Sequence, residues 1–148
     1  MRFRALSILG VLLAGCASEH PEVPEAASGK STAQLLNTYW KLTQLGEQLI
    51  TTPPGAREIH FVMHSENQRV AGFSGCNQMT GAYVLNGREL KFEQMGGTLM
   101  ACAANMELEQ NFLRMFGQVA GWKIAGESLQ LLDDGGKPLA MFESRYLE

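Results

Sequence analysis

The run from Gly72 to Cys102, GFSGCNQMTGAYVLNGRELKFEQMGGTLMAC, constrains the fold more than any other stretch of the chain. Asn86-Gly87 lies between the apolar-rich runs Gly81–Leu85 and Glu89–Met95. Asn-Gly accepts the positive φ that a type I′ turn demands, so a tight β-hairpin is predicted there. On its second arm Leu90, Phe92 and Gln94 fall on one face, and Lys91, Glu93 and Met95 on the other. Glycines at 72, 75, 81, 96 and 97 mark the ends of the hairpin as turns or bulges. Cys76 and Cys102 lie just outside the two arms, so folding the hairpin back could bring them together. Closing a loop of that length stabilises a fold by about 3–4 kcal/mol in the chain-entropy model. The other reading is a pair of buried free thiols, which are ordinary core residues. An oxidising compartment favours the disulfide.

The N-terminus points to such a compartment. Arg2 and Arg4 precede an apolar run from Ala5 to Ala14, ending in Leu13-Ala14-Gly15-Cys16. A basic start, a short apolar stretch and small residues before a cut site predict a signal peptide over residues 1–15. The run is too short to cross a bilayer as a permanent helix. Leu-Ala-Gly-Cys resembles the bacterial lipobox, which implies that Cys16 is acylated through sulfur and becomes the mature N-terminus. A plain secreted protein with a chance cysteine is the alternative. The total of three cysteines fits acylation, because lipidating Cys16 leaves an even pair. More than one acyl chain gives durable anchoring, since each buried methylene adds about 0.8 kcal/mol. Ala17 rather than Asp follows the anchor; by resemblance to Gram-negative lipoproteins, this implies the periplasmic leaflet of the outer membrane. Residues 16–32 then form the lipidated N-terminus and a tether. The segment Ala17 to Lys30, rich in Pro, Glu, Ala and Ser, cannot bury enough apolar surface to order itself. His20 within it reads as solvated.

Removing residues 1–15 leaves 10 basic residues against 15 acidic ones, a formal charge of −5. With no cluster of Lys and Arg, nucleic acid and anionic lipid surfaces are poor partners. Residues 33–148 suit one domain with a real core. Tyr39 to Leu45 alternates, with Trp40, Leu42 and Gln44 on one face, and Pro53-Pro54-Gly55 forces a loop. Glu58 to His64 and Arg69 to Phe73 read as strands around a turn at Ser65-Glu66-Asn67. Between Asn105 and Gln118 the period becomes helical, with Leu108, Phe112, Met115, Phe116 and Val119 on one stripe. Asn105 reads as its N-cap, and Glu107 and Glu109 suit the helix dipole. Trp122–Ala125, Leu129–Leu132 and Leu139–Phe142 read as short strands. The fold class is α+β, mainly antiparallel β, with one principal helix.

Several short motifs also carry a resemblance. Trp40-Lys41-Leu42, then Ser74-Gly75-Cys76-Asn77, Gly81-Ala82-Tyr83, and Thr98-Leu99-Met100-Ala101-Cys102 with Glu107 stand in the order seen in the META domain, the HslJ-like family. Leu129-Gln130-Leu131 with Gly135-Gly136 resembles that domain's closing strand and turn. The resemblance spans roughly Leu36 to Phe142. It implies a curved, barrel-like sheet with the helix packed on it, and an association with heat shock, antibiotic tolerance or secretion.

Catalytic signals are thin. Gly72-Phe73-Ser74-Gly75 lacks the final glycine and the strand–turn–helix setting of a nucleophile elbow. No His lies near Cys76 or Cys102 in sequence to activate a thiol. His60 and His64 share a strand face but stand ~13 Å apart, too far to share a metal. Asp133-Asp134 reads as a turn rather than a cation site. No catalytic residue, metal ligand or cofactor is therefore assigned. The methionines at 63, 79, 95, 100, 106, 115 and 141 are ordinary core filler, an adaptable groove for a peptide or acyl chain, or a thioether copper site. The expectation is a non-enzymatic lipid-anchored envelope protein in stress tolerance, partnered by the membrane through its acyl chains and by an envelope protein or apolar ligand. The alternative is a pilotin-like or chaperone-like carrier with an apolar groove inside the sheet; a periplasmic hydrolase or thiol enzyme is a third. A filled interior favours the support module, and an open channel favours the carrier.

Overall fold

The computed structural model describes residues 32–102 and 105–146. The predicted signal peptide, Cys16 and the tether through residue 31 lie outside the described residues. The strands are β1 (Tyr39–Leu45), β2 (Gln48–Leu49), β3 (His60–His64), β4 (Arg69–Phe73), β5 (Gln78–Asn86) and β6 (Glu89–Gly97). Helix α1 (Met106–Phe116) follows, and then β7 (Gly121–Ala125), β8 (Ser128–Leu132) and β9 (Pro138–Arg145). All pairings are antiparallel. β1 pairs with both β3 and β9, so the curved sheet closes on itself as a ring. Its loosest seam is between β6 and β7, which meet only at Glu89 and Gly121.

Strand alternation explains which side faces in. Trp40, Leu42, Phe61, Met63, Val70, Met79, Leu90, Leu129, Leu131 and Phe142 are all buried on the inner face. The helix adds Phe112, Met115 and Phe116. Phe61 sits at the centre, edge-on to Phe92, Phe116 and Phe142 at centroid distances of 6.1, 5.8 and 4.9 Å. At the other mouth the lead-in buries Ala33 and Leu35. There the Trp40 indole N–H donates to Leu35 O at 2.9 Å, and Ala33 N–H donates to Gly126 O at 2.9 Å. The interior is thus filled from both ends by side chains.

Several expectations shift by a residue or two. The hairpin forms, but Asn86 pairs with Glu89 and the two loop residues are Gly87 and Arg88. Gly87 takes the positive φ of 59°, while Asn86 remains in the strand. Both arms run longer than the apolar pattern, because the ladder continues through a bulge between Thr80 and Ala82. The bulge sets Gln94 at φ 52° and leaves it exposed, so it does not share the inner face of Leu90 and Phe92. A Cβ on Gly81 at this bulge would lie 2.3 Å from the Met95 sulfur and 3.0 Å from Glu93 O, so a larger residue would have to push both aside. The helix is Met106–Phe116, and Asn105 makes no side-chain cap bond; its amide instead reaches Gly75 O at 3.4 Å.

Candidate functional site

A densely bonded polar cluster lies where the turn before β5 meets the first turn of α1. Gly75 takes φ 106°, which lets the chain reverse so that Ser74 N–H donates to Asn77 O at 2.9 Å. The turn places Cys76 in a disulfide with Cys102, with Cα atoms 5.8 Å apart. Asn77 is 6 % exposed, and each of its polar groups has a partner. Its side-chain amide donates to Met100 O and to Glu109 Oε2, both at 3.1 Å. Its Oδ1 accepts from Met100 N–H at 2.7 Å and from the Thr98 hydroxyl at 2.8 Å. Its main-chain N–H donates to Glu109 Oε1 at 3.1 Å. Ser74, fully buried, donates its hydroxyl to the same oxygen. Swapping the Asn77 oxygen and nitrogen would set acceptor against acceptor, so the network fixes the orientation.

This arrangement is a clamp. Asn77 grips both the N–H and C=O of Met100, as a neighbouring strand would, and holds segment 98–102 in place. The carboxylate of Glu109 ties the same turn to α1, and the disulfide closes the triangle. Charge-assisted bonds of this kind, shielded from water, are strong, and breaking one member strands the others. Ser74 is shut away from solvent by the same bonds.

The motif residues thus fall into two groups. Gly75, Cys76, Asn77, Thr98, Met100, Ala101 and Cys102 come together at the clamp. Trp40 and Tyr83 belong elsewhere: Trp40 is central core, and the Tyr83 hydroxyl donates to His64 O at 3.0 Å. Burial raises the Tyr83 phenol above its ordinary value. Glu107, which stood in the motif, is exposed; the buried carboxylate is Glu109. Sequence reasoning assigned Glu109 to the helix dipole. Its spacing of three and seven from Phe112 and Phe116, on the apolar stripe, was the signal that it faces inward.

A second polar patch covers the outside of β1 and β3. Tyr39 stacks on His60 at 4.1 Å, and Lys41 pairs with Glu58 at 2.8 Å. Arg57 folds over the Phe73 ring at 4.4 Å. Nδ1 of His60 meets Glu58 O at 2.9 Å, which assigns the proton to that nitrogen. Burial holds the His60 imidazole below its ordinary value, and the Lys41 ammonium bonded to Glu58 holds that carboxyl below its own. His64 is exposed on the same strand. In the β8–β9 turn, Asp133 accepts the Lys137 N–H at 2.8 Å, a turn-closing role. Among the described residues no three His, Cys, Asp or Glu stand together as a metal would need, and no helix is long and apolar enough to cross a membrane.

The ring, its helix plug and the cystine-backed clamp define a small closed-sheet domain of α+β class. The sequence profile of the META domain matches residues 33–146, so the chain belongs to the META domain family. A solved NMR structure of a protein from Burkholderia xenovorans is 28 % identical, with 76 % of this chain and 85 % of that one covered and a TM-score of 0.60. A second NMR structure, 20 % identical over 74 % of this chain and 91 % of its own, has a TM-score of 0.59 and shares the fold. No curated protein matches the sequence.

Proposed function

We propose that this protein is anchored by an acylated Cys16 in the bacterial cell envelope, on the outer membrane facing the periplasm. Its META domain acts there as a non-enzymatic binding or support module in envelope stress tolerance. The observation that carries this reading is the pairing of Cys76 with Cys102. It suits an oxidising compartment, and it leaves Cys16, behind its lipobox-like run, for the acyl anchor. The filled interior supports a module that works through its outer surface rather than a carrier with a cavity inside the sheet.

Mass spectrometry of the protein purified from its own cells tests the anchor. The expected N-terminus is Cys16 bearing acyl chains, and Cys16→Ser is expected to move the protein out of the membrane fraction. An unmodified N-terminus, or membrane retention of Cys16→Ser, would overturn it. Crosslinking in living cells under envelope stress then reads the partner.

A further inference from the structure

Burial divides the methionines of the domain sharply. Met63, Met79 and Met115 are 0, 1 and 4 % exposed, packed in the core, and Met95 and Met141 are half-buried. Met100 and Met106 stand 61 and 46 % exposed, and both line one groove of about 440 Å³ between segment 96–101 and α1. Their thioethers are the soft nucleophiles open to solvent, because the disulfide takes the sulfurs of Cys76 and Cys102 out of competition as thiols. Oxidation at these two places also spares the fold. The clamp holds Met100 through its main-chain N–H and C=O, so its side chain carries none of that bonding. Met106 is the first residue of α1, with its side chain exposed. A sulfoxide oxygen on either residue meets water. On Met63, Met79 or Met115 the same oxygen would be sealed among apolar side chains, where an unpartnered polar group is costly.

We propose that Met100 and Met106 form a reversible oxidation site that consumes hypohalous acid reaching the envelope. Each sulfur gives up two electrons and gains one oxygen atom. The acid HOX is reduced to the halide X−, and its proton passes to solvent. The disulfide and the clamp take no part in the step. A methionine sulfoxide reductase then returns each thioether: the oxygen leaves as water while a dithiol is oxidised to a disulfide. Both sulfurs stand open to such an enzyme, as those of the three core methionines do not. The site names a stress that the module above would meet, and it rests on that reading only for the source of the oxidant.

The test titrates the protein, as purified from its own cells, with hypochlorous acid and maps sulfoxides by peptide mass spectrometry. The first two equivalents are expected at Met100 and Met106, about tenfold ahead of Met63, Met79 and Met115. At that stage the urea midpoint is expected to be unchanged. Reductases for both sulfoxide epimers, supplied with dithiothreitol, are expected to restore the starting mass. Met100→Leu combined with Met106→Leu, apolar replacements at exposed positions, is expected to abolish the early uptake and keep the urea midpoint. Protein recovered from cells exposed to hypochlorous acid is expected to carry sulfoxide at both positions. Even oxidation across the core and surface methionines, unfolding at two equivalents, or a product that the reductases do not reverse would each overturn the proposal. So would undiminished uptake by the double variant, or unoxidised Met100 and Met106 in exposed cells. A free thiol at Cys16 would take up oxidant first and appear in the map as its own product, so failure of the anchor reads separately. Loss of the methionine pattern on an acylated protein would leave the anchor standing.

Discussion

Asn77 and Glu109 show how few atoms can fix one corner of a fold. Two side chains join a turn, a strand extension and a helix, with every polar group used. Truncating either one leaves buried donors or acceptors without partners, at 1–3 kcal/mol each in typical cases. Asn77→Ala and Glu109→Ala are each expected to cost about 3 kcal/mol in urea unfolding, and the double variant much less than their sum. His60 gives a pH signature. Its folded value lies below the ordinary 6.5 because of burial, so protonation costs more in the folded chain than in the unfolded one. Its contribution is therefore complete above pH 6.5 and fades as the pH falls through the lower folded value. His60→Phe keeps the stacking on Tyr39 and is expected to flatten stability against pH just below 6.5, as followed by thermal unfolding. The Asn77 motif was legible in the sequence, but its partner was not. A glutamate in a first helical turn suits the dipole equally well when exposed, and only tertiary packing turns Glu109 inward.

At the scale of elements, strand and helix periodicity located nearly every segment, with β1 and β4 matching their predicted bounds. The strands that run long share a cause. Apolar alternation ends where burial ends, whereas hydrogen bonding carries on, so β5, β6 and β9 extend beyond it. The hairpin bend moved one residue because pairing Asn86 with Glu89 lets Gly87 alone take the left-handed conformation. The disulfide spans a separation of 26 residues around this hairpin. Replacing both Cys76 and Cys102 by Ala is expected to lower stability by about 3–4 kcal/mol, as measured by denaturant midpoint. Asn77 and Glu109 still tie the segment down, so the variant is expected to keep its far-ultraviolet circular dichroism.

For the whole molecule, ring closure was the least legible feature. It depends on β1 meeting β9, strands from opposite ends of the domain, and no local pattern encodes that pairing. What the sequence did carry was the count of large apolar residues at inward positions, enough to fill a ring of this size. Phe61→Ala at the centre of the aromatic cluster is expected to cost about 3–5 kcal/mol, read by calorimetry, since its three ring neighbours, themselves packed, cannot collapse into the gap. The two mouths of the ring have different duties. Residue 32 enters at the mouth stoppered by Ala33 and Leu35, whereas the cystine and its amide network sit at the other. A pull on the N-terminus would therefore load the bonds to Gly126 and Met63 first. Under load applied at residue 32 the stopper would yield before any tension reached the far rim, so the cystine corner would keep its shape.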